Sequence, residues 1–237
     1  MTVADNVGEV ALLETNIPGL IIQDIKSEDM ILRQVIFESK ADQIQSEMQI
    51  VYRDPKKHEI PENQFTTSVI APAKKGKKTV FNFSFLTNEY QQAMLSGLYQ
   101  ANSLAEKKEL NILNLGTGAG IMPMFLNSHL GEKIKKITTI DINADMLKVA
   151  KDHFGFKTEG TNIESIEGDA YDFINNATNK GTYDIIIVDI NYTEDDKSIS
   201  PPWKFLETDF LKKVADLATA ESAYLAFNIL YYSDQSR

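Results

Sequence analysis

The chain has 237 residues, 43% of them apolar, and a formal charge of −10. That is enough apolar material for one core-bearing α/β domain and a smaller appendage, and the acidic surplus argues against nucleic-acid binding, which draws its affinity from lysine and arginine on phosphates. Cysteine is absent, which excludes disulfide frameworks, thiolate zinc sites and cysteine nucleophiles and favours a cytoplasmic setting.

Residues 1–16 carry Asp5, Glu9 and Glu14 but no arginine, so they lack the basic start of a targeting segment. No apolar run approaches membrane-spanning length, and no membrane association is expected. From Gly19 to Asp54 the chain reads as short strands. Ile31, Arg33, Val35 and Phe37 alternate with Leu32, Gln34 and Ile36, and Met48, Ile50 and Tyr52 repeat the period. A hairpin around Lys40 to Gln43 joins these runs. Pro55 to Lys78 then collects Pro55, Pro61, Pro72, Gly76 and six lysines, a linker or surface-loop composition.

After Asn88 a helical pattern places Tyr90, Met94, Leu98 and Leu104 on one side. Strands are expected at Asn111–Leu115, Ile137–Asp141, Ile163–Glu167, Tyr183–Asp189 and Ala223–Leu230, with helices beginning near Ile121, Ala144, Tyr171 and Lys204. Strand and helix in alternation predict right-handed crossovers and a doubly wound parallel sheet. The unbroken run Ile185 to Val188 suits a strand covered on both faces.

A glycine-rich turn, Gly116-Thr117-Gly118-Ala119-Gly120, joins the first of these strands to a helix with Pro123 in its first turn. Glycine suits a tight turn that a ligand approaches closely. Asp141, at the end of the next strand, stands where a ribose diol is gripped, or else serves as a polar strand end beside Asn143. Ile121 replaces the third glycine of a dinucleotide fingerprint, so a nucleoside without phosphates fits better than NAD. Asp169 and Asp189 fall at the ends of two further strands, and carboxyl ends of parallel strands are where open α/β sheets bind ligands. Each also has a plainer reading as a helix cap or loop residue. His58, His129 and His153 have no metal-ligand spacing, and no metal site is expected. Trp203, after Pro201-Pro202, either lines a substrate mouth or packs its loop onto the sheet.

Several segments carry a resemblance: Val35-Ile36-Phe37, Gln45-Ser46-Glu47, Ser84-Phe85-Leu86, Gln92-Ala93-Met94, Gly116 to Phe125, Met146-Leu147, Phe154-Gly155-Phe156, Pro201-Pro202 to Phe205, Phe210-Leu211 and Lys213-Val214. With them the chain, from about Asp29 onward, resembles the spermidine-synthase-like branch of the class I S-adenosylmethionine (SAM) methyltransferases. Within that branch it is similar to the C-terminal domain of the eukaryotic elongation factor 1-alpha lysine and N-terminal methyltransferases. The resemblance implies an N-terminal β-hairpin region and linker over residues 1–78 and a Rossmann-like SAM-binding domain over 79–237. It also implies SAM as cofactor, held by Gly116, Gly118, Gly120, Asp141, Asp169 and Ala170, with Gln92 reaching the methionine end and Asp189 as the catalytic residue beside the methyl acceptor.

The implied acceptor is the amine of a protein partner, an N-terminus or lysine, with a translation factor as the example. In spermidine synthases an aspartate stands where this chain has Ala119, so the resemblance implies methyl rather than aminopropyl transfer. Asn143 and Asn191 replace acids of the related methyltransferases, which bears on the acceptor. The family's sheet has two more strands than are found before Arg237, so an exposed sheet edge is expected, open to a second copy or another partner. The rival expectation is a methyltransferase-like assembly subunit without activity.

Overall fold

The computed structural model describes residues 7–13, 15–41, 43–53, 78–100, 104, 106–194, 197–219 and 223–230. The lysine-rich stretch over 54–77, with His58, and the segment ending at Arg237 lie outside the described residues. By contacts the chain divides into two units, one formed by residues 1–88, 118–129 and 145–157, the other by 89–117, 130–144 and 158–237.

The first unit carries a five-stranded antiparallel sheet of β1 (Val7–Leu13), β2 (Leu20–Ser27), β3 (Met30–Phe37), β4 (Ile44–Arg53) and β5 (Lys78–Phe81), paired in that order. The expected hairpin joins β3 to β4 through a 3₁₀ turn at Glu38–Lys40, with Gln43 N–H bonded to Lys40 O at 2.9 Å. The sheet exceeds that hairpin, with β1, β2 and β5 joining it, and the buried face of β2 carries Asp24 after Leu20 and Ile22. Asp24 faces inward but is neutralised: Arg33 of β3 donates to its two oxygens at 2.7 and 2.9 Å, and the Tyr52 hydroxyl donates to Asp24 as well. The Arg33 guanidinium also lies 5.6 Å from the Phe81 ring centre and donates to the carbonyl of His153 at 2.7 Å. A fully buried ion pair is tolerated only when its hydrogen bonds are satisfied in this way.

The second unit is built on a parallel sheet of β6 (Leu110–Leu115), β7 (Ile134–Asp141), β8 (Ile163–Glu167), β9 (Ile185–Val188) and, after a small hairpin of β10 (Tyr192–Glu194) and β11 (Lys197–Ile199), β12 (Tyr224–Phe227). Its order is β12-β9-β6-β7-β8, the five strands expected, and it is α/β and doubly wound in strand order. In chain order the helices are α1 (Glu89–Ser96), α2 (Ile121–Leu130), α3 (Ala144–His153), α4 (Ala170–Asn176) and α5 (Thr208–Leu217).

On α5, Phe210, Val214 and Leu217 recur at helical spacing and are all buried against Leu113, Leu115, Ile186 and Val188 of the sheet. Tyr171 of α4 stacks on Phe210 with ring centres 5.2 Å apart, and Phe205, on a 3₁₀ turn at Trp203–Leu206, meets both rings edge-on. These pairs add orientation to the apolar burial that holds α4 and α5 to the sheet.

Asp184, just before β9, pins the opposite end of the sheet. It accepts from Lys107 Nζ, from the Thr219 hydroxyl at 3.1 Å and from the Asn111 N–H at 2.8 Å. Burial alone raises this carboxyl, but the donors outweigh it and hold it below the usual carboxylate range. A depressed folded-state pKa stabilises the fold above the unfolded value of about 3.9 and is lost as pH falls through the lower folded value. Asp184→Asn is therefore expected to lower stability at pH 7 by about 2 kcal/mol. Denaturant titrations across pH should show the gap to wild type narrowing below about pH 4.

Candidate active site

The sheet order reverses beside β6, so the carboxyl ends of β6 and β9 flank the switch point where open α/β sheets take their ligands. Gly116 follows β6 with φ at +93°, and a Cβ there would stand 1.9 Å from the carbonyl oxygen of Asp189. No other residue type fits this approach. The strand ends are tied in series by backbone bonds: Asp189 N to Leu115 O at 2.8 Å, Gly116 N to Ile140 O at 2.8 Å, and Gly168 N to Asp141 O at 2.9 Å. The residues Gly116, Asp141, Gly168 and Asp189 thus form one row along the sheet's upper edge.

Beneath that row lies a buried polar shelf. Asn114 Nδ2 donates to Gly116 O at 2.7 Å and to Thr139 Oγ1 at 3.0 Å, and the hydroxyls of Thr117 and Thr139 are 2.7 Å apart. Asn114 Oδ1 is buried, with no hydrogen-bond partner among the described residues. An asparagine inside the run LNILNL was the available sequence signal for this shelf. The glycine-rich segment continues into the first unit, where Gly118 and Gly120 also have positive φ and Ala119 N–H donates to Ser46 Oγ at 3.3 Å. A Cβ on Gly120 would collide with the Phe156 ring at 2.5 Å.

The three acids differ in how they are held. Asp141 Oδ1 accepts the N–H of Asn143 at 2.9 Å in an Asx turn, and the next residue, Ile142, is 70% exposed, an apolar face that sequence reasoning passed over. Asp169 is the N-cap of α4: Oδ1 accepts the Tyr171 N–H at 2.7 Å and Oδ2 lies 3.2 Å from Lys204 Nζ. Ala170, the first residue of that helix, is buried in the sheet's core cluster.

Asp189 is partly buried, and its hydrogen-bond partners are neutral. Asn228 Nδ2 donates to Oδ1 at 2.9 Å, the Tyr90 hydroxyl lies 3.3 Å from Oδ2, and the Gln91 amide also bonds to it. Burial pushes this carboxyl above the usual range, and the three donors only partly oppose the shift. Burial first, and then the neighbouring carboxylate, raise the Tyr90 phenol as well, so it stays a donor. On α1, Gln92 is exposed, whereas Gln91 is buried and bonded to Asp189. Sequence reasoning named Gln92 and missed Gln91, Tyr90 and Asn228, since no motif marks a helix and a strand end that meet only in the fold.

Among the described residues no group of three or more histidine, aspartate and glutamate side chains is placed to hold a metal ion. His129 stacks on Phe125, and His153 is buried with its imidazole pKa lowered, first by burial and then by the charge of Arg33. Trp203 is exposed on its 3₁₀ turn.

Gly116→Ala combines a positive φ with a backbone collision and is expected to cost at least about 3 kcal/mol. Gly181→Ala, at φ +61° with open space around it, is expected to cost only about 1 kcal/mol. Equal losses for the two in denaturant titrations would contradict the close approach at Gly116.

Residues 112–200 match the family described as a methyltransferase domain. The human eEF1A lysine and N-terminal methyltransferase is 26% identical over 219 residues, covering 86% of this chain and 31% of that protein. The Drosophila melanogaster homolog of that enzyme is 23% identical over 209 residues, covering 86% of this chain and 28% of its own length. The chain thus spans about a third of the length of the curated relatives it matches. Among solved structures, a probable spermidine synthase from Corynebacterium glutamicum shares the fold with a TM-score of 0.54 at 14% identity, covering 92% of this chain and 61% of that one. No helix among the described residues is long and apolar enough to cross a membrane.

Proposed function

We propose that this chain binds SAM and transfers its methyl group to an amine of a protein, an N-terminus or a lysine. The observation that carries this reading is the row Gly116, Asp141, Gly168 and Asp189 along the strand ends, with Asp189 held by neutral donors. The donor set suits a nucleoside: Asp141 supplies acceptors for ribose hydroxyls, Asp169 an acceptor for a base amine, and Ile142 an apolar face for the base. Gly116, Gly118 and Gly120 are read as the backbone of the cofactor turn, Ala170 as a base neighbour and Gln92 as a contact to the methionine end. When bound, SAM supplies a methyl group activated by its sulfonium.

Asp189 suits the acceptor because no cation pairs with it among the described residues, and such a carboxylate attracts an incoming ammonium. Its raised pKa also makes it a better proton acceptor than an ordinary aspartate. Asn228, Tyr90 and Gln91 fix its direction, so that the amine nitrogen is oriented and its proton has a place to go. An α-amine, which ordinarily titrates at about 7.7 to 8.0, needs less of this help than a lysine at about 10.4. A eukaryotic translation factor is the partner that the named relatives suggest, in the cytoplasmic setting that the absence of cysteine favours.

Titration calorimetry with S-adenosylhomocysteine (SAH) tests the cofactor reading. Binding by wild type is expected to weaken at least about tenfold in Asp141→Ala, and to persist in Asp189→Asn. Methyl transfer from labelled SAM to amine-bearing peptides is expected to collapse in Asp189→Asn. Undiminished SAH affinity in Asp141→Ala, or full turnover by Asp189→Asn, would overturn the respective role.

A further inference from the structure

Lys204 is exposed, yet its ammonium lies beside a carboxylate and two aromatic rings. Its Nζ is 3.2 Å from Asp169 Oδ2, 4.6 Å from the centre of the Tyr171 ring and 5.3 Å from that of Phe205. The platform under it is fixed, since Tyr171 is stacked on Phe210 and edge-on to Phe205. An ion pair this exposed contributes little to stability by itself. What the arrangement does provide is a donor and an acceptor side by side. The helix cap holds Oδ1 on the Tyr171 N–H and so turns Oδ2 toward Nζ. An ammonium has three donors and a carboxylate oxygen two lone pairs, so the mutual contact leaves both groups with capacity for a ligand.

A ligand edge with a donor next to an acceptor complements this pair. Adenine has two such edges, its exocyclic N6 amine lying beside N1 on one side and beside N7 on the other. We propose that Lys204 reads the base of the nucleoside cofactor, its ammonium donating to the ring nitrogen beside the exocyclic amine while Asp169 accepts from that amine. The inference rests on the cofactor reading above and adds to it a base-recognising residue on the turn Trp203–Leu206. Tyr171 and Phe205 act through Lys204, their ring faces holding the ammonium in place.

The test is calorimetry of SAH and of its 1-deaza and 7-deaza analogues with wild type, Lys204→Met and Lys204→Arg. Lys204→Met is expected to bind SAH about tenfold more weakly, the scale of one charged hydrogen bond, and Lys204→Arg to retain most of the affinity. The methionine penalty is expected to vanish with the analogue that lacks the contacted nitrogen. Unchanged or tighter SAH binding by Lys204→Met would overturn the proposal while leaving the cofactor reading intact. So would a methionine penalty of the same size on both analogues, because the loss would then come from the turn and not from the base. Folded wild-type protein that does not bind SAH would remove the cofactor reading itself, and the proposal with it.

Discussion

The close approach of Gly116 to the backbone of Asp189 governs how the rest of the second unit is arranged. Because a side chain cannot enter there, β6 leaves the sheet in a left-handed turn directly against the end of β9. One backbone bond ties the ends of β9 and β6 and two more carry the contact outward across β7 and β8, so the acids at the strand ends inherit their positions from the sheet and not from loops. Beneath them Asn114, Thr117 and Thr139 support the turn through their side-chain hydrogen bonds.

The carboxylates divide by partner. Asp24 and Asp184 are neutralised by Arg33 and Lys107 and serve the two sheets. Asp169 is half committed, one oxygen to its helix and the other to Lys204. Among the described residues Asp189 meets amides and a phenol, and the proposed role toward an incoming cation rests on that contrast. The same sorting separates the polar contacts that stabilise the fold from those that remain open to a ligand.

Much of the parallel sheet was legible in the sequence because each strand of it ends in a glycine or an acid and is followed by a helix of ordinary period. Ile163–Glu167 was read at its observed limits, and Ile121 and Ala144 open helices as read. The hairpin β10–β11 was not foreseen, since three-residue strands leave too short a pattern to register. The antiparallel sheet was only partly visible: Gly19 to Asp54 was read as short strands with one hairpin, whereas the ion pair that buries Asp24 against Arg33 appears only in the fold. Asp141, Asp169 and Asp189 were legible by position alone. Tyr90, Gln91, Asn228 and Lys204 were not, because each becomes informative only through a neighbour far away in the chain.

Amide hydrogen exchange with and without SAH reads out whether the strand ends of the second unit receive the nucleoside, as proposed. Added protection is expected in the segments around Gly116, Asp141 to Asn143 and Gly168 to Tyr171, with β2 and β3 unchanged. Binding that left those three segments unprotected, or that protected β2 and β3 instead, would contradict it.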